Sequence, residues 1–268
     1  MQIAVPKTYS HLAPLPCDLA RVGRLGDGGY VIPAVDKFGI EALLSIGISD
    51  DWSFEREIAK DSSRCVIHGY DRTSGSTVFV YYLMRVILSN QNISRKIILI
   101  KKWLFLAFSF AFFWNRRHKF YRKWIVLEKK NKKEISIAEA FNKIPVDQKI
   151  GIKIDIEGNE YEIGDQLVDQ IIKRNSNVRF IVMEFHGISK NRDRFIELTQ
   201  SIQSMFSVAH IHANNFGGIG SDGFPEVIEV TFSSSLDSNE LKKRSTPNGA
   251  FDKPCNPLLE DFELVFDL

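Results

Sequence analysis

Six short apolar runs, at residues 42–48, 64–70, 149–156, 178–185, 206–211 and 226–232, punctuate the sequence. Most are rich in Ile and Val, with few polar positions, which predicts strands covered on both faces. Between several of them the apolar positions take helical spacing, over residues 52–60, 160–173 and 191–205. Strands alternating with helices imply right-handed crossovers and a mainly parallel α/β sheet. The last two runs are joined through Asn214-Asn215-Phe216-Gly217-Gly218 and Gly223-Phe224-Pro225, with no room for a helix. They read as an antiparallel pair that closes the sheet. Ligands of such sheets bind beyond the carboxyl ends of the strands, so the residues that follow each run carry the functional question.

Residues 74–133 break this rhythm. Positions 103–114 read WLFLAFSFAFFW, preceded by Lys101-Lys102 and followed by Arg116, Arg117, Lys119, Arg122 and Lys123. Such a run is shorter than the roughly 18–20 residues a membrane-crossing helix needs. Aromatic ends and basic flanks suit an element lying in the headgroup region of a membrane, through residues 101–124. A buried helix with a solvated basic cap is the plainer alternative. The aromatics are contiguous rather than interleaved with charge, so no nucleic-acid partner is expected.

Charge sharpens this contrast. Net charge is only +2, yet residues 95–133 hold 13 Lys or Arg and one acid, Glu128, leaving 22 basic and 32 acidic residues elsewhere. A basic segment is set into an acidic protein. The length of 268 residues and a hydrophobic share of 44% fit one globular domain over 1–268, with an insertion at about 75–133. Cys17, Cys65 and Cys255 are scattered, which argues against a disulfide framework and for a reducing compartment. The start of the chain lacks a basic stretch followed by an apolar one, so the expected location is the cytoplasm, at the inner face of the membrane.

The strand ends hold the candidate chemistry. After the first run come Gly47, Asp50, Asp51 and Glu55, acids better suited to a cationic amine than to a phosphate. Asp50 or Asp51 would also serve as an ordinary helix cap. The second run ends at Asp71, where an acid commonly bonds ribose hydroxyls. Asp155 and Glu157 follow the third, Glu184 and His186 the fourth, His210 and His212 the fifth. Residues two apart in a strand share a face, so these pairs can converge to hold a hard divalent ion or to form an acid–base cluster. The plainer reading has the histidines bonded to backbone carbonyls.

Residues 153–162, KIDIEGNEYE, resemble the signature of FkbM-type S-adenosylmethionine-dependent methyltransferases, as do residues 24–30, 45–55 and 183–186. The similarity covers roughly residues 20–72 and 134–268 and leaves the basic insertion unmatched. It implies a class I (Rossmann-like) methyltransferase fold with S-adenosylmethionine across the ends of the first two strands. Implied cofactor contacts are Arg24, Asp27, Gly28 and Tyr30, then Ser45, Gly47, Asp50, Asp51 and Glu55, and Asp71 near the ribose. Asp155 and Glu157 would face the transferred methyl group, with His186 or His212 as base; Asp155, Glu184 and His212 are the implied ligands of a divalent ion. Glu160 and Glu162 are expected only to favour the first turn of the next helix. The activity implied is O-methylation of a hydroxyl on a sugar, glycan or glycolipid, such as a surface polysaccharide. A non-catalytic, membrane-peripheral binding protein on the same fold is the alternative.

Overall fold

A computed structural model describes residues 1–90, 92–237 and 240–268. The chain opens with strand β1 (Gln2–Ala4) and the hairpin of β2 (Leu19–Val22) and β3 (Tyr30–Pro33). Strand β4 (Ala42–Ile46), helix α1 (Ser53–Asp61) and strand β5 (Val66–Tyr70) form the first crossover unit. Helices α2 (Ser76–Leu88) and α3 (Ile93–Phe113) come next. They lead into the short strands β6 (Lys119–Tyr121), β7 (Trp124–Val126) and β8 (Glu134–Ser136) and helix α4 (Ile137–Phe141). Strand β9 (Ile150–Ile154), helix α5 (Glu160–Arg174), strand β10 (Val178–His186) and helix α6 (Arg192–Gln203) continue the alternation. Strands β11 (Ser207–Ala213), β12 (Val227–Ser233) and β13 (Glu263–Val265) complete the chain.

Seven strands make the main sheet in the order β11-β12-β10-β9-β4-β5-β6. Pairings β4–β5, β4–β9, β9–β10 and β5–β6 are parallel, whereas β12 runs antiparallel between β10 and β11. This is the strand order of a class I methyltransferase sheet, including its antiparallel closing strand. Within this sheet one strand escaped the apolar-run reading. β6 is three residues, Lys-Phe-Tyr, and owes its extended form to pairing with the free edge of β5. The rings of Tyr70 and Tyr121 stack across that pair at 4.7 Å. The stretch at 75–133 is therefore an inserted helical hairpin whose continuation completes the sheet, rather than an insertion throughout.

The sheet is covered on both faces, as continuous apolar strands require. Along β4, Ala42, Leu44 and Ile46 join one core while Leu43 joins the other; along β10, Ile181 and Met183 oppose Phe180 and Val182. β9 is asymmetric. Ile150, Ile152 and Ile154 fill the first core, and the opposite side carries Gly151 and Lys153. A Cβ on Gly151 would stand 2.4 Å from the Phe180 ring, so glycine is what lets that ring lie against the strand.

Helix ends follow local chemistry. Ser136 and Glu139 form a reciprocal capping box on α4. Arg174 of α5 donates to the carbonyls of Phe141, Ile144 and Pro145, satisfying groups left open where α4 stops. The hairpin of β2 and β3 packs on the closing strands, where the Thr231 hydroxyl donates to the Val31 carbonyl at 2.6 Å.

Gly151→Ala should destabilise the fold by about 1–3 kcal/mol through overpacking against Phe180. Chemical denaturation would read this as a lower midpoint with an unchanged slope, and Phe180→Leu in the same chain should recover part of the loss.

Candidate active site

The ends of β4 and β9 are bound together by their backbones. Asp155 N–H donates to Ile46 O at 3.0 Å, while on the other side Gly47 N–H ties the same end of β4 to β5 through Tyr70 O at 3.0 Å. Gly47 has φ +79°, and a Cβ there would lie 1.5 Å from the Asp155 carbonyl oxygen, so no other residue fits. Lys153, buried on β9, donates from Nζ to the Gly47 carbonyl at 2.6 Å and lies over the Tyr30 ring. Beyond this junction opens a cavity of about 400 Å³, lined among others by Gly47, Ser49, Asp71, Asp155, Glu157 and Trp124.

Asp71 reaches this cavity with its oxygens already engaged. Oδ2 accepts the amides of Ile48 at 2.8 Å and Ser49 at 2.7 Å; Oδ1 accepts from the Thr73 amide and hydroxyl and from the Ser74 amide. Burial by itself would raise its pKa. The bond from the Thr73 hydroxyl and those from the amides prevail and hold it below the usual carboxylate value.

Around Asp155 a second assembly forms on the β9 and β10 ends. Strand β9 stops at Ile154, so Asp155 and Glu157 stand in the following turn, not on one strand face as the sequence suggests. Glu157 has φ +57° and an exposed side chain at the cavity rim, and Gly158 follows at φ +104°. Tyr30, fully buried, places its hydroxyl 3.1 Å from Asp155 Oδ2 and 3.3 Å from Glu184 Oε2. Glu184 Oε1 accepts from Asn214 Nδ2 at 2.8 Å. His186 Nε2 lies 3.9 Å from Asp155, 3.6 Å from Glu157 and 3.6 Å from Glu184.

Glu160 departs from expectation. It is fully buried, with Oε1 accepting the amides of Ile156 and Gly158 and sitting 3.1 Å from His186 Nδ1. It shapes the turn that carries Asp155 and fixes the imidazole, while Glu162 does remain exposed on α5. Lys153 and Glu160 both lay inside the quoted signature, but nothing in their spacing distinguishes them from surface charges.

Other predicted residues fall outside the cavity. Ser45 Oγ donates to Glu55 Oε1 at 2.5 Å, and both are fully buried, with Lys153 Nζ 4.0 Å from the same oxygen. This pair ties α1 to β4. Arg24 bonds Asp27 and the Asp51 carboxylate, and a Cβ on Gly28 would lie 2.7 Å from Asp51 Oδ2. Asp51 also accepts the Ser53 amide at 3.0 Å, in the turn ahead of α1, whose N-cap is Trp52 and not Asp50 or Asp51. Asp50 pairs with Lys102 of α3 at 2.8 Å. Tyr30 supports the acid cluster instead of lining the cavity.

His212 requires a correction. The antiparallel β12 lies between β10 and β11 and sets His212 beside Glu229, one strand beyond Glu184. Its nitrogens lie 3.2 Å from Glu229 and 3.2 Å from Asp261, and Cys255 completes that group. The residues whose ligand atoms converge with those of Asp155 and Glu184, within 4.8 Å of one another, belong to His186. His210 pairs separately with Asp252 at 2.8 Å.

No protein-family model and no curated protein matches the sequence. Among solved structures, the precorrin-6y C5,15-methyltransferase of Geobacter metallireducens GS-15 is 14% identical, covering 74% of this chain and 85% of its own, with a TM-score of 0.34. The fibrillarin pre-rRNA processing protein of Methanococcus jannaschii is 10% identical, covering 74% and 68%, with a TM-score of 0.36. Likenesses this distant carry no argument about chemistry. The fold assignment rests on strand order and the site on the geometry above.

Electrostatics set the protonation pattern. Burial, then repulsion from Asp155 and Glu229, push the Glu184 carboxyl well above the usual range. The Tyr30 hydroxyl lies within hydrogen-bonding reach of both Asp155 and Glu184 and links the two carboxyl groups. Burial opposes charge on His186, but the hydrogen bond that its Nδ1 donates to Glu160 and the surrounding carboxylates outweigh it and raise the imidazole to about 9. The carboxylates around His186 favour its charged form, which suits charge balance better than the expected role as a base. A raised folded-state pKa stabilises fully below the unfolded value of about 6.5 and is lost as pH rises through about 9. In chelator-treated protein, NMR titration should place His186 in that upper range, and Glu160→Gln should lower it; a His186 that titrates near 6.5 in both would contradict the assignment.

Proposed function

We propose that this protein is an S-adenosylmethionine-dependent O-methyltransferase of the FkbM type, acting on a hydroxyl of a sugar, glycan or glycolipid. The observation that carries the reading is that Asp155 belongs at once to the strand-end cavity and to the acid–imidazole cluster. The cavity walls at the ends of β4 and β5 would hold S-adenosylmethionine, which when bound supplies an electrophilic methyl group on a sulfonium. Gly47 lets the backbone approach closely there, and Asp71 keeps the Ile48–Ser49 loop in one conformation.

A hydroxyl needs in-line placement and a proton acceptor for this transfer. Asp155 is the proton acceptor, oriented by Tyr30 through its Oδ2. The His186 imidazole, whose charged form the surrounding acids favour, offsets part of their negative charge beside Asp155. Glu157 and Trp124 at the rim offer hydrogen-bond acceptors beside a flat apolar face, which suits a sugar ring with hydroxyls at its edge. Once Glu184 and His186 gave up their protons, Asp155, Glu184 and His186 would make a donor set of oxygen and imidazole for a divalent ion, which would lower the hydroxyl pKa.

Isothermal titration should show binding of S-adenosylmethionine and S-adenosylhomocysteine, and absence of both would end the methyl-transfer reading. Asp155→Asn should retain that binding and lower turnover by about 10²–10⁴, whereas His212→Gln should affect stability more than turnover. The metal contribution is separable: full activity after EDTA treatment, with no ion found by mass spectrometry, would remove it.

A further inference from the structure

Helices α2 and α3 pack against each other as an antiparallel hairpin. The inner side of α3 belongs to the protein core, where Leu106, Phe110 and Trp114 are buried against Trp52, Phe79 and Phe120. Its outer side is also apolar. Ile98, Phe105, Phe108 and Phe112 recur at helical spacing with 67%, 67%, 74% and 85% of their surface exposed. Helix α2 adds Val80, Met84 and Ile87, and the two ends of the connecting turn are Leu88 and Ile93, both largely exposed. A helix apolar all round belongs in a core or a membrane setting, and a continuous exposed patch of this kind marks an interaction surface.

Charge selects the partner. No Asp or Glu occurs between Asp71 and Glu128. Arg85, Arg95 and Lys101 are exposed on the hairpin, and among the described residues no carboxylate lies within ion-pairing distance of them. We infer that the outer face of the α2–α3 hairpin docks the protein on an anionic lipid surface, with the phenylalanines at the headgroup–acyl boundary and the basic side chains on lipid phosphates. No helix among the described residues is long and apolar enough to cross a membrane, so the hairpin lies on the surface. Its continuation leads straight to the cavity, whose wall includes Arg72, Lys123 and the exposed Trp124. Docking thus presents the cavity rim to molecules anchored in the same lipid surface, and the acceptor is a lipid-linked glycan. The docking stands without the methyl-transfer reading; the choice of acceptor rests on it.

Flotation of the full chain with vesicles of phosphatidylcholine, alone or mixed equally with phosphatidylglycerol, tests the docking. Protein should float with the mixed vesicles, far less with phosphatidylcholine alone, and should be released by high salt. The combined change Phe105→Ser, Phe108→Ser, Phe112→Ser should lower the bound fraction about tenfold or more. Arg95→Glu with Lys101→Glu should remove only the advantage of the anionic lipid. Melting temperature and S-adenosylhomocysteine binding should be unchanged in both, which separates docking from the methyl-transfer reading. Equal flotation of wild type and the phenylalanine variant would overturn the inference. So would wild-type protein that does not float but is dimeric by light scattering and becomes monomeric in that variant, since the face would then join two copies of this chain.

Discussion

The buried ammonium of Lys153 is the contact on which the site depends. It lies on the face of β9 that it shares with Gly151, donates to the Gly47 carbonyl and sits near Glu55. A buried lysine is costly without partners, and here the partners belong to β4, α1 and the Tyr30 ring. One side chain therefore holds the β4 loop against the β9 turn, and the cavity opens where those two meet. Gly47 makes the contact sterically feasible and the backbone bond from Asp155 to Ile46 fixes its register.

A single turn then connects two environments of opposite character. On the cavity side the carboxylate of Asp71 is saturated by hydrogen bonds and kept ionised. On the sheet side Glu184 is buried and crowded by other acids, which raises its pKa. The two carboxyl groups are thus pushed in opposite directions by their surroundings, and Asp155 stands between them. His186 limits the accumulated negative charge from the other side.

Much of the fold was legible because continuous apolar strands and helical spacing are local signals. β4, β5, β9, β10 and β12 begin and end close to the apolar runs, and α1, α5 and α6 close to the periodic stretches. β6 was not legible, since an edge strand of three residues takes its form from its neighbour. The site was legible in part. Asp155, Glu184 and His186 were placed correctly at strand ends, but which histidine joins the two acids depends on the antiparallel β12, a fact of topology and not of spacing. Glu160 was misread because a helix's first turn favours an acid whether or not it points inward. Ser45 and Glu55 satisfy each other in the interior, a pairing ten residues apart that no local pattern announces.

The hydroxyl of Tyr30 bridges partners 125 and 154 residues away, and Asn214 closes the same network from still farther along. The cluster is thus assembled from nearly the full span of the chain. During synthesis, β4, β5 and β9 can pair before Asn214 and the closing strands have emerged, but Glu184 then lacks its amide donor and the β2–β3 hairpin lacks the surface it packs on. The cluster around Asp155 and Glu184 therefore cannot acquire its geometry until the chain beyond β10 has emerged.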